Sequence, residues 1–186
     1  MDKELKLECI IIRAGLTETP KGTIINEGKE TDVYNWYLKE VLKDATEKGM
    51  FEGVFSHLRS DEDHLSAFPN PSNTPFGYFS NTKWNEQSEA VTGTLNIYPG
   101  EFGKKFKGYI DSIFSRRKES SFEDLNTFDN KTDTGLGLSI KGSFVMSEVE
   151  PFPKGVKEYI LGFKEITSID VVEMPNAGGK ILNWIT

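Results

Sequence analysis

Gly135-Leu136-Gly137-Leu138-Ser139-Ile140-Lys141-Gly142 is followed downstream by Ser168-Ile169-Asp170-Val171-Val172-Glu173-Met174-Pro175-Asn176-Ala177-Gly178-Gly179. In an extended chain successive side chains alternate faces. Leu136, Leu138 and Ile140 therefore share one face, and Gly137, Ser139 and Lys141 the other. The glycines at 135, 137 and 142 thin out the side chains around Ser139 and allow close backbone approach. In the second segment Ser168 and Asp170 project together, opposite Ile169 and Val171. An aspartate within a β-branched run is expensive to bury unless it is paired. Asp170 therefore needs a partner, unless it faces water from an edge strand.

The rest of the chain reads in the same terms. Leu7 to Arg13, with Cys9-Ile10-Ile11-Ile12, is a buried strand closed by Gly15. From Thr31 the rows Val33, Tyr37, Val41 and Tyr34, Leu38, Leu42 recur at helical spacing. Thr31 or Asp32 is available as N-cap, and Gly49 suits the position past the helix end. A strand is expected over Phe51 to Phe55, leading into His57. Leu58 to Pro75, with prolines at 69, 71 and 75, reads as a long irregular loop. Phe76 to Trp84 and Ala90 to Tyr98 form an expected hairpin.

Glu101 to Lys118 is the clearest amphipathic helix, with Phe102, Phe106, Tyr109, Ile110, Ile113 and Phe114 on one face. The polar stretch Glu119 to Thr134 reads as a surface loop. Strands follow over Leu136 to Met146, Glu158 to Phe163 and Ile166 to Glu173. Five to seven strands with two or three helices, and no regular βαβ alternation, predict an α+β protein: a small, mostly antiparallel β barrel flanked by helices.

At 186 residues, 37% of them hydrophobic and 12% aromatic, residues 1–186 are expected to form a single domain with a sizeable core. The one cysteine, Cys9, has no intramolecular partner and is expected as a buried strand residue. No stretch approaches the about 18 apolar residues of a membrane span. Met1 to Lys6 carries no apolar core behind a basic region, so a soluble cytosolic protein without membrane contact is expected. The net charge of −7 disfavours a nucleic-acid partner, because phosphate contacts need clustered Lys and Arg. The one basic run, Arg116-Arg117-Lys118, reads as a solvated helix end.

A serine hydroxyl becomes a useful nucleophile only beside a base, usually a histidine oriented by a third polar group. The chain has two histidines, His57 and His64. His57 stands at a strand end, where a rigid element holds a base within the roughly 0.5 Å that catalysis tolerates. His64 lies among Asp61, Glu62 and Asp63, which favour its charged form, unable to accept a proton. The candidate set is therefore Ser139 as nucleophile, His57 as base and Asp170 as orienting acid, with Glu165 as a flanking alternative. Backbone N–H groups at Lys141 and Gly142 are candidate oxyanion donors. His57, Asp61, Asp63 and His64 are suitable metal ligands, but their spacing matches no usual zinc signature. Nucleotide-binding and C-x-x-C motifs are absent, so neither a cofactor nor a metal is expected.

The strand-end histidine, the Gly-Leu-Gly-Leu-Ser-Ile-Lys-Gly strand and the block Thr167-Ser-Ile-Asp-Val-Val-Glu-Met-Pro-Asn-Ala-Gly-Gly179 together resemble the prohead (capsid maturation) serine proteases of tailed bacteriophages, relatives in fold of the herpesvirus assemblins. The resemblance implies a single protease domain built as a small β barrel wrapped by helices. It also implies a serine endopeptidase that cleaves scaffold, capsid-protein extensions and itself inside an assembling procapsid in the host cytoplasm. Phage scaffold and major capsid protein would be its partners, and a homo-oligomer is compatible with it. By position Ser139 matches the family nucleophile, His57 the histidine and Asp170 the aspartate of the last block. Some relatives carry a glutamate where this chain has Ser168, and the assemblins use a second histidine. Leu58 stands where the family often has proline, and Ile140 and Lys141 stand where it tends to place arginine. The alternative is a non-catalytic scaffold or assembly protein with the same fold.

Overall fold

The computed structural model describes residues 4–18, 20–26, 28–58, 74–118, 136–172 and 177–185. The N-terminal run forms β1 (Leu5–Arg13), whose Leu7, Cys9 and Ile11 point into the core while Lys6 and Glu8 stay outside. After β2 (Gly15–Leu16) and β3 (Gly22–Asn26) come β4 (Lys29–Tyr37) and the helix α1 (Lys39–Glu47). Next are β5 (Phe55–Ser56), β6 (Gly77–Asn85), β7 (Ala90–Ile97) and α2 (Glu101–Lys118). The chain continues through β8 (Gly137–Met146), β9 (Glu150–Phe152), β10 (Gly155–Val172) and β11 (Lys180–Trp184).

The strands form two sheets. One runs β11-β1-β7-β6-β5 and is antiparallel throughout. The other runs β2-β4-β10-β8, with β3 added to β4 and β9 to β10; its β4–β10 pair is parallel. The fold is thus α+β and mostly β, with two helices among the described residues. The expected barrel is corrected: the sheets remain two open layers. They meet through a bridge between Leu58 and Val171 and through a backbone bond from Ile181 N to Leu136 O at 3.2 Å. A barrel needs a continuous staggered ladder at closure, and these junctions are too short to supply one.

The core lies between the layers. Leu7, Phe79, Leu95 and Ile97 of the first sheet face Leu138, Ile160, Ile169 and Val171 of the second. Phe163 joins the rings of Tyr37, Phe51 and Phe144. The predicted amphipathic face of α2 is the buried one: Phe106, Ile110 and Ile113 are inside, and the ring of Phe76 packs tilted against those of Phe102 and Phe106, with centroids 5.1 Å apart. Trp184 Nε1 donates to Asp111 Oδ1 at 2.8 Å, tying α2 to β11.

Three local expectations are corrected. Residues 31–37 are strand, not helix, so neither Thr31 nor Asp32 caps one; α1 starts after Leu38 with no side-chain cap. Side chains four apart share a face in a strand as well as in a helix, so Val33 and Tyr37 satisfy both patterns. Parallel pairing of β4 with β10 decided for the strand. Gly49 does end the helix, at φ 70°. The strand expected over Phe51 to Phe55 is mostly turns, and β5 contributes two residues just before His57. The two strands expected over 158–163 and 166–173 are, up to Val172, one, β10, with Glu173 outside the described residues; register shifts after Ile160, Phe163 and Ile166 absorb the residues that read as a break.

Candidate catalytic site

Ser139 of β8 stands directly opposite Asp170 of β10, flanked by the pairs Leu138–Val171 and Ile140–Ile169. Leu138, Val171 and Ile169 are buried in the core. Alternation therefore turns Ser139 and Asp170 together to the other face, where opposed residues carry their Cβ atoms about 4.5–5.5 Å apart. Asp170 is 5% exposed, so it is no edge residue facing water: β10 has β8 on one side and His57–Leu58 on the other. Val171 N donates to His57 O at 3.0 Å, which fixes the His57 backbone against β10. The imidazole then brings Nδ1 to 3.3 Å from Asp170 Oδ1. The buried aspartate thus has the partner its setting requires.

A carboxylate can only accept a hydrogen bond, so with Asp170 ionised the contact requires the tautomer in which His57 Nδ1 donates. Nε2 is left with a free lone pair, the tautomer in which a histidine can take a proton from a hydroxyl. The His57 side chain is 24% exposed and that of Asp170 only 7%, which leaves the imidazole reachable and the carboxylate shielded. No hydrogen bond joins Ser139 to His57 among the described residues. Catalytic hydrogen bonds in unliganded sites are often long and tighten only when substrate binds. The two sheet junctions explain the assembly. One carries His57 from the end of β5 onto β10, and the other holds the start of β8 against β11.

Comparison with protein-family models, curated proteins and solved structures finds no match.

Lys141 is exposed and opposes Ser168; its carbonyl accepts the Thr167 hydroxyl at 3.0 Å. Gly142 is required by packing, because a Cβ there would stand 2.2 Å from the Glu165 carbonyl oxygen. Glu165 itself is exposed and opposes Ser143, several positions along the ladder from Asp170. Asp170 is the acid that meets His57. His64, Asp61 and Asp63 lie outside the described residues, and no cluster of three potential metal ligands occurs among the described ones.

Beside Ser139 lies a cleft of about 220 Å³, walled by Leu138, Ile140 and Phe144 and carrying Thr17, Asn35 and Lys21 as polar groups. Sequence reading missed this polar set. Thr17 and Asn35 come together only through pairing of the β2 and β4 segments, with Thr17 N donating to Asn35 O at 2.8 Å and Asn35 N to Thr17 Oγ1 at 3.1 Å. Asn35 also sits in the stretch that reads as helix, which hid its inward orientation.

Proposed function

We propose that this chain is a serine endopeptidase of the capsid-maturation kind. The observation that carries the reading is the His57 Nδ1 contact with Asp170 Oδ1, with Ser139 opposite Asp170 on the same face. His57 Nε2 takes the Ser139 proton as Oγ attacks a peptide carbonyl carbon. The resulting tetrahedral oxyanion collapses, the C–N bond breaks, and the proton passes from Nε2 to the leaving amine. Water then hydrolyses the ester on Ser139 by the same exchange. Asp170 holds the ring and stabilises the imidazolium. Backbone N–H groups near Lys141 and Gly142 are the proposed oxyanion donors, with the Lys141 ammonium adding positive charge.

The motif resemblance supplies the proposed setting: the scaffold, capsid-protein extensions and the chain itself, cleaved within an assembling procapsid. A protease held in such a compartment works at high local concentration, which suits a site whose serine and histidine are not yet in hydrogen-bond contact. That same separation favours one competing reading, a non-catalytic assembly protein that keeps the fold.

Fluorophosphonate labelling of the concentrated protein, with mass spectrometry to locate the adduct, separates the two. An adduct on Ser139 that is lost in Ser139→Ala and in His57→Ala is the expected result. A folded chain that takes no label and does not trim itself at any concentration would overturn the protease reading in favour of the assembly protein.

A further inference from the structure

We infer that an exposed aromatic surface on the His57 side of the site binds a hydrophobic side chain of the substrate, a few residues from the bond that is cut; this rests on the protease reading. Burial along residues 55–58 alternates: Phe55 is half exposed, Ser56 buried, His57 partly exposed and Leu58 buried. Phe55 therefore projects on the same face as the His57 ring. Tyr78 of β6 stands directly opposite Phe55, which puts its ring on that face as well. The ring of Tyr98 packs against that of Tyr78, with centroids 5.8 Å apart. Phe55 and Tyr98 are 49% and 38% exposed, so the surface is open to another chain. Two positions along an extended chain span about 7 Å, so a peptide held over Ser139 and His57 reaches Phe55 within a few residues.

A single exposed apolar residue is ordinary, whereas adjoining aromatic rings at one surface mark a place where another chain binds. Aromatic rings also carry much of the energy of such contacts. The Phe55 side chain has no polar atom, so its exposed half gains only from apolar cover. The neighbouring carboxylate does not make the surface a cation site. Glu4 already accepts the Tyr78 hydroxyl at 3.2 Å and pairs with Lys6 at 3.7 Å. An ammonium would lose water there against an engaged partner, and a carboxylate would face Glu4. Tyr98 also walls an apolar pocket of about 400 Å³ with Leu58, Phe76, Pro99 and Phe102, which gives a large side chain room beyond the rings. An aromatic or branched aliphatic side chain fits both the rings and the pocket.

A peptide library randomised one position at a time, incubated with the concentrated full chain and read by mass spectrometry, tests this. One position near the cut should favour Phe, Tyr or Leu over Ser, Glu and Lys by about tenfold, the low end of what an apolar contact contributes to substrate discrimination. Phe55→Ser should flatten that preference. Phe55→Lys should turn it toward Asp and Glu, a change that general loss of structure would not produce. A preference for Lys or Arg at that position in the unaltered chain would overturn the hydrophobic assignment. Cleavage with no hydrophobic preference at any position, or with one unchanged in both Phe55 variants, would overturn the subsite while leaving the protease reading intact. Absence of both cleavage and fluorophosphonate labelling of Ser139 in the unaltered chain would overturn both.

Discussion

Asp170 Oδ1 of β10 lies 3.3 Å from Nδ1 of His57, the residue just after β5 of the other sheet, beside the bridge from Leu58 to Val171. Asp170→Asn would keep the shape but let the ring turn or take the other tautomer, placing the proton on Nε2. Hydrolysis should fall by about 10⁴-fold, the scale seen when a triad aspartate becomes an amide, with the fold preserved by circular dichroism. A loss of less than tenfold would show that Asp170 does not position the base.

Gly179 is wedged between β1 and β8. A Cβ there would stand 2.4 Å from Leu138 O and 2.7 Å from Ile11 O, both backbone atoms that cannot swing aside. Gly179→Ala should cost about 1–3 kcal/mol in urea unfolding, the usual penalty of overpacking. Because the displaced strand carries Ser139 next to Leu138, fluorophosphonate labelling should slow in the same variant. Unchanged stability would mean that the β1–β8 contact is looser than these distances require.

Glu52 organises the bulge in β6 between Ser80 and Lys83, where Asn81 has φ 54°. Its carboxylate accepts from Asn81 N at 3.1 Å, Thr82 N at 3.1 Å and Thr82 Oγ1 at 2.9 Å. Desolvation raises its pKa, but these Thr82 and Asn81 donors outweigh that and hold it below the ordinary carboxyl value. A depressed folded-state pKa stabilises above the unfolded value, near pH 4.3, and the contribution is lost as pH falls through the folded value. Glu52→Gln should therefore lower stability at pH 7 by only a few tenths of a kcal/mol, because water screens this exposed carboxylate, and the gap should close as the solution is acidified below about pH 4. A gap independent of pH in thermal melts would refute the assignment.

Cys9 is fully buried, and desolvation pushes its thiol far above the ordinary range, with a backbone hydrogen bond from Leu95 acting the other way. The thiolate, not the thiol, reacts with alkylating agents. Iodoacetamide should leave Cys9 unmodified in the folded protein at pH 8 and modify it at the rate of unfolding once urea is added. Rapid labelling under native conditions, followed by mass spectrometry, would contradict its burial.

Much of this was legible in the chain. The alternation in Leu136 to Ile140 and in Ser168 to Val171 identified two strands and the faces of Ser139 and Asp170. The apolar stripe of Glu101 to Lys118 marked α2 to the residue, because that periodicity extends over five turns and competes with no other reading. Val33 and Tyr37 misled because spacing by four fits a strand as well as a helix. The expected break near Lys164 vanished because bulges let one strand bend without ending.

By itself the sequence determined which face of each strand Ser139 and Asp170 occupy and that Asp170 would need a partner, since alternation and the cost of burying charge act locally. Tertiary structure alone decided that the partner is His57, that Ser139 falls opposite Asp170, and that Asn35 lines the adjoining cleft. Those relations depend on register between segments far apart in the chain, and a shift of one residue would turn Ser139 to the opposite face from Asp170.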